Sequence, residues 1–107
     1  MKISETLDAA ADLILQPGKW IKGSYARTAI GKACFTSDPA AACFCAVGAV
    51  MHVDGATNPA SSPAAVYALE GEGLPEDITL INDDANGPDA PAAALRALAE
   101  RARKAGL

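Results

Sequence analysis

The chain has 107 residues, with 9 Lys and Arg against 13 Asp and Glu, and a net charge of -4. That length corresponds to one domain, and the acidic balance argues against a nucleic-acid partner held through its phosphates. No apolar run reaches the ~18–20 residues that cross a bilayer, and Met1–Glu5 lacks the apolar stretch of a targeting segment, so a cytoplasmic protein with no membrane contact is expected.

Residues 4–15 read as the first helix. Ser4 reads as its N-cap, and Glu5 suits the positive helix end. Ile3, Leu7, Ala10, Ala11 and Ile14 recur at spacings of three and four, and Pro17-Gly18 ends the pattern. Over residues 19–36 the helical period is lost. Extended pieces near 20–26 and 32–36 are expected to pair across a turn at Ile30-Gly31.

Asp38-Pro39 combines an N-cap with proline at the first helical position, so a helix is expected from Pro39 to Val53. It is apolar nearly all round, which predicts a central, buried helix. Gly48 in its middle predicts a close backbone approach. Residues 55–62 read as a loop, and Ser62-Pro63 opens a helix running to Glu70. Residues 75–81 fit a short helix or a strand. Asn82–Pro88 reads as a polar turn. Asp89 is expected to cap a last helix from Ala90 to Lys104, with Leu95, Leu98 and Ala102 inward. The whole predicts a mainly α, compact single domain over residues 1–107, with four or five helices and at most a small two-stranded ribbon.

Several segments together resemble a known family. They are Leu7–Ile14, Trp20, Gly23-Ser24-Tyr25-Ala26-Arg27, Asp38-Pro39, Cys43–Val50 with its Cys-Ala-x-Gly-Ala run, and Ile81-Asn82-Asp83. The pattern is similar to a family of small bacterial and phage proteins catalogued as a domain of unknown function. The family commonly carries an aromatic after Asn-Asp, where Asp84 stands here. The resemblance implies a bacterial or mobile-element setting and supplies no activity.

Four constellations carry chemistry in principle. Cys43, near the start of the expected central helix, sits where a helix dipole would activate a thiol. The lone histidine, His52, lies nine residues on, roughly 13 Å along a straight helix, too far to act as its base. Cys34, Cys43, Cys45 and His52 number four zinc-type ligands, but Cys-x-Cys is tighter than the usual spacing. An odd thiol count without an export signal argues against disulfides, so reduced thiols packed as small hydrophobes are the simpler reading. Asn82–Gly87 matches the first half of a calcium loop, but Ala93 stands where the closing Glu is needed, and turn chemistry explains the same residues. Trp20, Lys22, Tyr25 and Arg27 interleave aromatics with cations, a composition enriched at protein contacts and also usable by core fillers.

These observations favour a small non-enzymatic protein-binding module without a cofactor or metal. One form is a phage or mobile-element inhibitor of a host or defence protein. Its expected contact residues are Trp20, Lys22, Tyr25 and Arg27, with Asp83 and Asp84 steering a partner of basic surface. A homodimer is compatible with this reading. The alternatives are a small cysteine-dependent enzyme using Cys43 and a zinc-stabilised structural or oligomeric scaffold.

Overall fold

A computed structural model of the chain describes residues 1–71 and 73–107. In chain order the elements are α1 (Ile3–Leu15), β1 (Ala26–Thr28), β2 (Ala41–Phe44), α2 (Ala46–Asp54), a short 3-10 turn (Pro59–Ser61), α3 (Pro63–Glu70), α4 (Ile78–Asp84) and α5 (Asp89–Lys104). Five helices and a two-stranded antiparallel ribbon form the mainly α domain expected from the helix-start signals.

The periodic stripe of α1 buries Leu7, Ala10, Ala11 and Ile14 completely. These residues pack along α5, which contributes Leu95, Leu98, Ala99 and Ala102, and against α2. Alanines on both sides let the helix axes approach closely, so large side chains are few in this core. Exposed ion pairs from Arg96 to Asp8 and Asp12, and from Arg103 to Asp8, lie over the α1–α5 seam. At such exposure solvent and salt screen these pairs, and they contribute little to stability.

Ser4 does not cap α1. The N-cap is Lys2, whose backbone N–H donates to Glu5 Oε1 at 2.7 Å. Ser4 lies in the first turn, buried, and its hydroxyl reaches the carbonyl of Leu107 at 3.4 Å. At the other end of the chain Pro88 is the N-cap of α5 and Asp89 is its first helical residue, where a carboxylate still favours the positive end.

The largest departure concerns residues 39–45. Asp38 does accept from the amide of Ala40, and its carbonyl accepts from Ala41. That makes one turn and no helix. The chain then extends as β2, with Ala26 opposite Phe44, Arg27 opposite Cys43, and Thr28 opposite Ala41 past an irregularity. The local Asp-Pro signal loses to a ladder that buries Phe44 to 2 % exposure, a tertiary gain that outweighs local propensity. The helix begins only at Ala46, with Cys45 as N-cap.

The ribbon pairing also differs. The turn near Ile30-Gly31 is present, with Gly31 donating to Thr28 and Thr28 to Lys32. The 32–36 arm, however, touches β1 through a single bridge, Arg27 to Ala33, and the main partner of β1 is β2. A three-residue strand is marginal alone. It is held by Trp20 on the far side of Phe44 and by the amide of Cys45 donating to Tyr25 O.

Ser62 and Pro63 open α3 as expected. Ser62 Oγ accepts from the amide of Ala65 at 3.0 Å and donates to Asp54 Oδ2 at 2.6 Å. Thr6 donates to Asp54 Oδ1, so one carboxylate at the end of α2 ties α1 to the start of α3. Ser62→Ala removes the cap and one of the two hydroxyls on Asp54. The expected loss is about 1–2 kcal/mol, read as a lower urea midpoint.

Residues 78–84 resolve as helix. Asp77 caps it, accepting from the amide and the hydroxyl of Thr79. These hydrogen bonds hold the Asp77 carboxyl below its ordinary value. The helix takes in Asn82–Asp84, which the sequence assigns to a turn. The reason is the burial of Asn82 described next.

Candidate functional site

Four of the segments that carry the family resemblance converge: Trp20, Gly23–Arg27, Cys43–Val50 and Ile81–Asp83. Gly23, Ser24 and Tyr25 from the chain before β1, Cys45 and Val47 at the start of α2, and Thr79, Asn82 and Asp83 of α4 line a pocket of about 410 Å³. Two contacts build its wall. Gly48 faces the backbone of Tyr25 so closely that a Cβ there would lie 1.9 Å from Tyr25 O. Asn82, 2 % exposed, spends its amide on three partners: Oδ1 accepts from Trp20 Nε1 at 2.9 Å and from the Ala46 amide at 3.0 Å, and Nδ2 donates to Ile21 O at 3.2 Å. One side chain thus joins α4 to the Trp20-Ile21 strand and to the first turn of α2.

This arrangement assigns places to the residues picked out in sequence. Trp20 is half-buried with its indole N–H committed to Asn82. Lys22 donates its ammonium to the carbonyls of Asp83 and Ala85 at the C-terminal end of α4, a favourable place for a cation. Arg27 donates to Gly31 O across its own turn. Tyr25 points outward, 45 % exposed. Asp83 and Asp84 are exposed at the end of α4.

The thiols part company. Cys43 lies on β2, half-buried, with its S–H directed at Arg27 O at 3.6 Å. The thiol at a helix start is Cys45, whose sulfur accepts from the amide of Gly48 at 3.3 Å. Burial nevertheless pushes the Cys45 thiol above its ordinary value, outweighing that amide. Cys34 is raised too, by desolvation first and then by Asp38 and Cys43. His52 donates through Nδ1 to Thr36 O at 2.8 Å and stacks against Phe44, with ring centroids 4.5 Å apart. It does not line the pocket.

Among the described residues, no three His, Cys, Asp or Glu side chains gather closely enough to hold an ion. The half calcium loop is spent in the same way, since Asn82 Oδ1 already accepts two hydrogen bonds.

A raised thiol has a measurable consequence. In a variant carrying Cys34→Ala and Cys43→Ala, Cys45 is expected to react with a thiol probe more slowly at neutral pH than the same thiol in urea. Its labelling rate should rise through a midpoint above that of a free cysteine, because less thiolate is present at any given pH. Rapid labelling at neutral pH would contradict this and would point to an activated thiol at Cys45.

A second groove, of about 840 Å³, shares Ser24 and Tyr25 with the first and runs between Phe35 and the Thr57–Pro59 turn. Two large apolar side chains of the chain between β1 and β2 stand out. Ile30 is 89 % exposed and Phe35 is 70 % exposed. Neither belongs to the contact set read from the sequence, although both are apolar residues placed beside turn glycine and Ser/Thr, a signal available there.

Fold and site define a small helical domain with a two-stranded ribbon and an open pocket that one buried asparagine helps to line. The chain belongs to a family of unknown function, DUF6197, whose model matches residues 1–101. No curated protein and no solved structure matches it. Among the described residues, no helix is long and apolar enough to cross a membrane.

Proposed function

We propose that the protein is a non-enzymatic binding module whose contact face is the segment from Gly23 to Phe35. The observation that carries this reading is the exposure of Tyr25 and Phe35 in the lining of one open groove, with Ile30 exposed at the turn between them. Large apolar side chains clustered in solvent mark contact surfaces on small soluble domains, and aromatics anchor them. Trp20, Lys22 and Arg27 brace the segment, each through a hydrogen bond within the chain. Of the sequence-derived set, Tyr25 is the aromatic that reaches outward, and Asp83 and Asp84 are exposed as well. An inhibitor of a host or defence protein is one form such a module takes.

The pocket itself favours binding over chemistry. Its lining holds a thiol raised by burial, an amide already hydrogen-bonded, and no histidine. The test is the double variant Tyr25→Ala/Phe35→Ala. It should keep its melting temperature within a few degrees, since both rings are exposed, and should lose a protein captured by the wild-type chain from its native cells. Capture unchanged by the double variant contradicts the reading.

A further inference from the structure

The extended pieces of the chain lie side by side, and their two outer edges differ. Phe44 of β2 donates to Lys19 O and accepts from the Ile21 amide on one side, while β1 pairs with β2 on the other. β1 in turn meets the arm 32–34: the Thr28 amide donates to Lys32 O, and the Cys34 amide donates to Ala26 O. The order across is 19–21, β2, β1, 32–34. The first edge is covered by α4, since Asn82 donates to Ile21 O and accepts from the Trp20 indole.

The other edge is open. The two hydrogen bonds of the arm flank the Arg27–Ala33 bridge, which makes it the non-bonded pair of an antiparallel ladder. The N–H and C=O of Ala33 therefore face away from β1. Among the described residues neither has a backbone partner, and the amide of Phe35, two positions on, has none either. Ala33 is exposed. The stretch is short, because Arg27 donates to Gly31 O at one end and the Asp38 amide to Phe35 O at the other. Unpaired strand edges template pairing with another chain.

The larger groove runs beside this arm. Ala33 and Phe35 line it, and the Thr57–Pro59 turn forms its opposite bank. Its charged lining is one lysine, Lys32, and one acid, Asp38, so charge selects no partner. Backbone chemistry does. An open N–H and C=O on one residue bond an extended chain, whereas a helix has spent its own. Tyr25 precedes Arg27 by two positions and Phe35 follows Ala33 by two. The ladder thus sets them opposite each other, on one face with the small Ala33 methyl. Both banks belong to one copy. A second copy would bring a groove to a groove, and neither fills the other, but one extended segment fits between the banks.

We propose that the groove takes an extended segment of a partner protein, added as a further strand along Ala33–Phe35, with an apolar side chain over the Ala33 methyl beside Phe35. This inference rests on Gly23 to Phe35 being a contact face and names the mode of contact.

The probe is a displayed library of random short peptides, selected on the full chain. In a selected peptide, methylating one backbone amide at a time should weaken binding about tenfold or more at alternate positions and hardly at all between them, because every second amide faces the edge. Saturating peptide should slow hydrogen exchange at the Ala33 and Phe35 amides and leave Cys34, already bonded to Ala26, unchanged. Both measurements use the wild-type chain. Ala33→Pro removes a donor that the fold does not use, so it should abolish binding while the melting temperature stays within a few degrees. No selected peptide, methylation effects without alternation, or unaltered exchange at Ala33 and Phe35 overturns the inference. So does slowing of those two amides as the chain alone is concentrated, which makes a second copy the occupant. Capture of a native protein lost in Tyr25→Ala/Phe35→Ala but kept in Ala33→Pro overturns strand addition alone. Capture kept in both overturns the contact face with it.

Discussion

Gly48→Ala should be the most damaging single-methyl change in the protein. The added Cβ would lie 1.9 Å from the carbonyl oxygen of Tyr25 and 2.7 Å from its carbon. The obstacle is backbone, and that carbonyl is also held by the amide of Cys45. Relief requires moving the ribbon off α2, which breaks that bond and uncovers Phe44 and Ala46. An expected loss of about 2–3 kcal/mol follows from overpacking at a site that cannot yield, and more for Gly48→Leu. For a domain of this size that lowers the melting temperature by roughly 10–20 °C. A wild-type melting temperature would show that the ribbon does not sit on α2 as described.

Asn82→Ala is the second large effect, and its origin is polar. The substitution leaves the Trp20 indole N–H, the Ala46 amide and the Ile21 carbonyl without their partner. Each buried polar group so orphaned costs about 1–3 kcal/mol. Water entering from the adjoining pocket offsets part of this, so a total near 3 kcal/mol is expected. Asn82→Asp should fall between Ala and wild type. It keeps acceptors for Trp20 and Ala46, and a negative charge suits the start of α2, but it sets an oxygen against Ile21 O. Trp20 is the chain's single tryptophan, so its fluorescence reports the same event. The emission of Asn82→Ala should shift to the red below the main unfolding transition, as the indole comes loose.

What was legible in the sequence divides by the range of the interaction. The stripe Leu7, Ala10, Ala11, Ile14 and the pair Ser62-Pro63 act within one helix, and both helices form where those residues place them. The close approach at Gly48 was legible too, because a glycine inside an apolar helix has few other reasons to be there. Asp38-Pro39 misled for a physical reason: an Asp side chain caps an isolated turn as readily as a helix. What cancelled the helix, the pairing of Phe44 with Ala26 and Trp20, involves residues far apart in the chain.

The site shows the same division. Asn82 looked like turn chemistry because its partners lie 36 to 62 positions away. The thiol at the helix start is two residues beyond the one the expected boundary implied.

The central claim is that Phe35 and its neighbours are a contact face while Trp20 and Asn82 hold the fold. A photo-crosslinking amino acid placed at Phe35, with a control at Leu15, which is also exposed, tests it most directly in the native cells. A discrete adduct heavier than two copies of the chain is expected from position 35, and none from position 15. Equal, diffuse labelling from both positions would contradict it.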